Sequence, residues 1–192
     1  MRLDQLTKAE LSAEQNELYD ALIGGLLGGT RSAAVITDDQ GHVQGPFTVM
    51  LHHPTVGHPV QDLGAVLRFR GSLSDRAREL VILVVAAHWQ SDFEWWAHER
   101  IGRNVGLTDA EIDALRTGAP LTVDDVIDQA AFDAARALVL RADLDDAEYA
   151  RVQEILGNEQ LVEVTALVGY YAMLALRMRV FRITAPEDVT FT

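Results

Sequence analysis

The sequence predicts a single all-α domain over residues 1–192, with a short hairpin or ordered loop near its N-terminus. Three observations carry this. Apolar residues recur at helical spacing along most of the chain, as at Val60, Leu63, Gly64 and Leu67. Pairs of the form Ser/Thr/Asp-x-x-Glu/Gln stand where helices begin, and glycines stand where they end. No Pro-rich, low-complexity or heptad-patterned tract marks a linker.

Element by element, Ser12-x-x-Gln15 opens a first helix that runs out into Gly24, Gly25, Gly28 and Gly29. Residues 33–47, AAVITDDQGHVQGPF, place two short extended runs about Asp39-Gln40-Gly41, which predicts the hairpin or loop. The helix around residues 60–67 breaks at Gly71-Ser72, and Ser74 caps the next, over about 75–89. That helix is apolar on every side from Leu80 to Ala87, so it belongs in the middle of the core. A further helix starts near Ser91. Thr108-x-x-Glu111 begins a short one ending at Gly118, and an amphipathic helix occupies 123–142. Asp145-x-x-Glu148 begins another that ends at Gly157, and the last runs over about 159–182 before Pro186. The segments LTDAEIDAL and LDDAEYARV reflect either an internal duplication or the same capping chemistry used twice.

Composition excludes several classes of function. A hydrophobic content of 48% with 23% charged residues is that of a soluble globular protein. The net charge of −13 leaves no concentrated basic face for nucleic acid or an anionic membrane. The longest unbroken apolar run, LVILVVAA, is well short of the roughly 20 residues of a membrane span. The start, MRLDQLTKAE, is too polar and acidic for a targeting peptide, so a cytoplasmic location is expected. Cysteine is absent, which removes disulfides, thiolate nucleophiles and Cys-ligated metals.

The chemistry concentrates in SDFEWWAH, residues 91–98. On a helix starting near Ser91, residues Ser91, Glu94 and His98 share one stripe, and Trp95 neighbours His98. If this helix packs antiparallel to the buried one, Glu79 and His98 fall in register. A carboxylate at the head of an apolar helix cannot stay ionised without a partner; it pairs or its pKa rises. Either state serves acid–base catalysis. The same residues also admit a structural reading. Ser91-x-x-Glu94 has the form of a capping box, and Glu94–His98 is an i, i+4 pair. Glu79 could pair with Arg76, Arg78 or Arg100, and Trp95 and Trp96 could be packing residues. Residue spacing leaves both readings open.

The stretch RARELVILVVAAHWQSDFEWWAHERIGRNVGLTDAEIDAL (76–115) resembles the carboxymuconolactone decarboxylase family, whose superfamily includes the alkylhydroperoxidase D-like proteins. The segments GPF (45–47), LHHP (51–54) and GYYAMLAL (169–176) fit its non-thiol members, so the resemblance spans about residues 45–183. It implies an all-helical fold assembled as homotrimers or hexamers, with a cofactor-free site on the central helix pair. The peroxidase branch carries a glutamate, a Cys-x-x-Cys pair and a histidine four residues later. Here these positions hold Glu79, Ser91, Glu94 and His98, so the acid–base frame persists without its redox atoms. Thiol peroxidase chemistry is thereby excluded.

The resemblance then implies a lyase acting on a small carboxylated or carbonyl compound. Losing CO₂ calls for a conjugated carbonyl to take up electrons and an acid to reprotonate carbon. His98 is the expected acid, since free imidazole titrates near neutrality. Glu79 sets its charge and orientation, and Glu94 is either a second proton-transfer group or a cap. Ser91, Trp95, Phe47 and His52 are expected to line the substrate site. No cofactor or metal is expected: His52, His53 and His58 sit 1 and 5 residues apart on a Pro-interrupted loop, poor ligand geometry. A divalent ion on Glu79, Glu94 and His98 is the weaker reading. His88 and Trp89 read as helix-end packing. Where the family commonly carries an Asn in a segment like MLNAF, this chain reads MRVF. Arg177, Arg179 and Arg182 form a basic patch there, and Arg179 and Arg182 are expected on one helix face. That face either holds a substrate carboxylate or makes surface ion pairs. Two alternatives stand beside the lyase: a cofactor-free isomerase or cyclase, and a non-catalytic oligomeric protein that binds a small molecule.

Overall fold

The computed structural model describes residues 1–24, 36–186 and 191. Among them are eight α-helices and no strand. They fall into two compact units: Met1–Arg70 with Leu176–Thr184, and Gly71–Ala175 with Ala185–Thr192.

The first unit opens with α1 (Ala13–Gly24), started by Ser12 as its spacing predicts. The Gln15 amide donates to Ser12 Oγ at 3.3 Å, and the Ser12 amide donates to Gln15 Oε1 at 2.9 Å. Three of the four glycines expected to end this helix, and residues 33–35 of the expected hairpin, lie outside the described residues. Residues 36–45 form a tight loop. Thr37 and Val43 make an isolated antiparallel bridge, Gly41 turns at φ 83°, and Asp38 Oδ1 accepts the amides of Gln40 and His42. Helices α2 (Pro46–Leu51) and α3 (Pro54–Phe69) then pack on each other and on α1. The approach is close at Gly57, where a Cβ would lie 2.5 Å from Met50 O and 2.6 Å from Leu18 Cδ2.

α3 starts earlier than the apolar spacing suggested. Pro54 occupies its first turn, where a missing N–H costs nothing, and Pro59 sits inside the helix. His58 therefore lies on α3 rather than on a Pro-interrupted loop, and His53 is its N-cap.

The second unit is built around α4 (Asp75–Trp89). Ser74 Oγ accepts the Ala77 amide at 2.9 Å, the expected cap. Leu80, Val81, Ile82, Leu83, Val85 and Ala86 are wholly buried. Each such Leu, Val or Ile contributes about 1.5–3 kcal/mol of burial. α4 contacts α5 (Asp92–Asn104), α6 (Asp109–Thr117) and α7 (Val126–Arg141). α7 turns Ala130, Ala131, Ala134 and Ala135 inward, and these small side chains let two helix backbones approach closely. Beneath the start of α4, Arg76 bridges Asp128, at 2.6 Å, and Glu111.

α8 (Asp146–Phe181) begins at Asp145, whose Oδ1 accepts the Glu148 amide at 2.8 Å while Glu148 Oε2 accepts the Asp145 amide at 3.0 Å. Thr108 and Glu111 make the same reciprocal pair at α6. The two look-alike segments thus share one capping chemistry. Gly157, at φ 68° and ψ 174°, breaks α8 where the sequence places a helix end. Taken as a whole, α8 is long and apolar enough to cross a membrane by length and composition, although half of its most apolar window is buried in the fold.

Candidate functional site

The site rests on the turn between α4 and α5. α4 closes with Gln90 in the left-handed region at φ 50°. The Gln90 amide donates to Ala87 O at 3.1 Å and the Ser91 amide to Ala86 O at 2.9 Å, the paired bonds of a Schellman end. α5 then runs back along α4. In this antiparallel register the Glu79 and His98 side chains meet: His98 Nδ1 lies 2.7 Å from Glu79 Oε2, with the residues 5% and 1% exposed. A carboxylate accepts from Nδ1–H, and this pairing turns Nε2 away from Glu79 as the ring nitrogen left to meet a substrate. Other cations near the head of α4 are engaged elsewhere. Arg76 holds Asp128 and Glu111, Arg78 holds Asp75 and Leu73 O, and Arg100 lies over the Trp96 ring.

Glu94 does not complete the capping box that its spacing suggests. The Ser91 amide it would reach is already bonded to Ala86 O, and Ser91 Oγ makes no cap bond. Both Glu94 carboxyl oxygens are buried without a hydrogen-bond partner. Burial therefore drives this carboxyl well above the usual carboxylate range, and the nearby Ser91 hydroxyl opposes that only in part. Burial thus favours the protonated form of this carboxyl, one turn ahead of His98 on the same helix.

Trp95 is fully buried, and its Nε1 donates to Glu99 Oε2 at 2.7 Å. The Arg116 guanidinium lies 4.9 Å from its ring centroid, and the Phe191 ring meets it edge-on at 5.2 Å. Burial works to raise the Glu99 carboxyl, but hydrogen bonds from Arg103 and Trp95 and the charges of Arg116 and Arg103 hold it below its ordinary value. Trp95 is thus a wall whose one N–H is already engaged. Sequence reasoning missed Tyr171, which packs edge-on against His98 with ring centroids 5.1 Å apart. Its only signal was the aromatic pair in GYYAMLAL, on an apolar face far along the chain.

Three of the expected substrate-binding residues belong to the first unit. Phe47 lies half-buried on α2. His52 Nε2 is 2.9 Å from Asp4 O. Arg179 is exposed near the end of α8. Arg182 does not share its helical face: it lies past the helix end at φ 58°, and its amide meets Arg179 O as the chain turns away. Among the described residues, Arg177, Arg179 and Arg182 form no ion pair. His88, expected as packing, is exposed, with Trp89 edge-on at 6.3 Å. Among the described residues, no three His, Asp or Glu side chains are grouped to hold a metal, Glu79, Glu94 and His98 included.

Comparison with known proteins places this geometry. Residues 54–139 match the carboxymuconolactone decarboxylase family, and this stretch contains Glu79, Ser91, Glu94 and His98. No curated protein matches the chain. A solved structure of an uncharacterized peroxidase-related protein from Silicibacter sp. TM1040 superposes with a TM-score of 0.73 at 14% identity, covering 100% of this chain and 95% of that one. The apo form of the debrominase Bmp8 superposes at 0.68 and 12%, covering 96% and 91%. A protein of unknown function from Agrobacterium tumefaciens, named as a candidate AhpD antioxidant-defence protein, gives 0.65 and 18%, covering 73% and 97%. At these identities the likeness is one of fold: all-α and AhpD-like.

Proposed function

We propose that this chain, whose residues 54–139 match the carboxymuconolactone decarboxylase family, is a cofactor-independent lyase acting by proton transfer on a small carboxylated or carbonyl compound. The observation that carries this reading is the buried Glu79–His98 pair, at 2.7 Å. Glu79 fixes the ring's tautomer and orientation and stabilises the imidazolium that forms when Nε2 takes a proton from solvent water, the proton that each turnover consumes. In a decarboxylation, the C–C bond to the carboxylate breaks, CO₂ leaves and the electron pair moves into a conjugated carbonyl. The imidazolium Nε2–H then delivers its proton to carbon. Glu94, whose protonated form burial favours, donates a hydrogen bond to the developing enolate oxygen and keeps its proton. A peroxidase reading, prompted by the names of two structural neighbours, meets a chain with no cysteine to carry the electrons.

The test incubates the protein in D₂O with a panel of carboxylated lactones and conjugated keto acids, monitoring CO₂ release and carbon deuteration by NMR. The wild type is expected to turn over at least one of them. Glu79→Gln and His98→Ala should each lose about 10²–10⁴-fold in rate while remaining folded, the usual contribution of a positioned acid–base group. Deuteration without CO₂ release would identify an isomerase on the same frame. Full turnover in both variants would overturn the assignment.

A further inference from the structure

A second small-molecule site lies away from the Glu79–His98 pair. At the C-terminal ends of α4 and α6, beside α7, is a cavity of about 260 Å³. None of Glu79, Glu94, His98 or Tyr171 lines it. Its floor is apolar, with Val84, Leu115, Phe132 and Val139 among its walls, while His88, Arg116 and Arg136 supply polar groups and no Asp or Glu takes part. In a chain with 29 acidic residues against 16 Lys and Arg, a cavity lined by two arginines and no carboxylate stands out.

The three basic residues differ in how far they are committed, and Thr117 spends its hydroxyl on Asp113 O at 2.8 Å. Arg116 is engaged: it pairs with Glu99 at 3.2 Å and stacks over Trp95. His88 and Arg116 both stand in the last turn of a helix, where a basic group also complements the exposed carbonyls. Arg136 has neither role. It sits inside α7, away from the helix end, and among the described residues it has no ion-pair partner. An uncommitted guanidinium facing an apolar recess, with an imidazole from a second helix, suits an anion attached to an apolar body. The volume falls below the roughly 300–1,000 Å³ of drug-sized sites, so that body is about one substituted ring. We propose that this cavity binds a small aryl or alkyl carboxylate, its carboxylate on Arg136 and His88 and its apolar part against Phe132 and Val84.

Calorimetric titration of the full chain, with amide NMR shifts read at Thr117 and Gly118, tests this using 4-methylbenzoate, 4-methylbenzyl alcohol and inorganic phosphate. The aryl carboxylate should saturate a site that moves those amides. Arg136→Gln should weaken binding about tenfold or more, since a charge-assisted contact is lost from an exposed position that does not threaten the fold. The neutral alcohol and phosphate should each bind at least about tenfold more weakly than the acid, lacking the charge or the apolar body. Glu79→Gln and His98→Ala should leave the affinity unchanged, which separates this site from the proposed catalytic one. The proposal fails if no saturable binding occurs, if phosphate binds as tightly as the aryl acid, or if binding survives Arg136→Gln.

Discussion

At the scale of single residues, the site turns on how two carboxyls are treated by the same fold. Glu79 receives a partner, His98 Nδ1, and Glu94 receives none. The second case has a measurable signature. Because burial raises the folded-state pKa of Glu94 above its unfolded value, the folded state keeps a proton that the unfolded chain releases. That stabilisation is complete below the ordinary carboxylate range and is lost as pH rises toward the folded value. Glu94→Gln removes the titration, so its Tm should exceed that of the wild type at pH 8 by on the order of a few degrees, with little difference at pH 4. Equal Tm shifts at both pH values would show that burial does not keep this carboxyl neutral. If Glu94 also serves turnover, the same variant should be slower while more stable. The sequence did not reveal this state. The i, i+3 spacing of Ser91 and Glu94 satisfied a capping rule, yet the Ser91 amide had already been taken by Ala86 O.

At the scale of helices, most of the fold was legible. Ser12, Ser74, Thr108 and Asp145 each begin the helix their spacing announces, because a cap is a local bond between neighbours in sequence. α3 was less legible at its start, since prolines in a first turn look like loop until a helix is seen to accept them. Tyr171 against His98 could not be read at all, because nothing local ties residues so far apart in the chain. Two backbone positions yield a paired prediction. Gly157 holds φ 68° and ψ 174°, a region that side-chain-bearing residues essentially never occupy, although nothing lies within 4 Å of where its Cβ would be. Gly157→Ala should therefore cost about 1–3 kcal/mol through conformation alone. Gln90 holds φ 50° in the ordinary left-handed region, so Gln90→Gly should be neutral or stabilising by up to about 1 kcal/mol. Urea unfolding of both variants measures the contrast; similar losses at the two positions would contradict it.

At the scale of the whole molecule, charge and exposed apolar surface pull in different directions. The net charge of −13 repels like copies, while Val56, Leu63 and Val66 leave an apolar stripe along α3 exposed by 39–46%. The family resemblance implies trimers or hexamers. Sedimentation velocity is therefore expected to give three or six chains, with association tightening as salt rises and screens the repulsion. A monomer at every salt concentration would remove that expectation. Within the second unit, the way α4 ends also bears on how such a site changes over time. The start of α5 is secured by backbone bonds at Gln90 and Ser91, not by the side chains at 91 and 94. Those two positions are therefore open to substitution: a thiol, a hydroxyl or a carboxyl can occupy them while His98 stays in register with Glu79. The group carried at the mouth of α5 and the pair held behind it can thus change independently of each other.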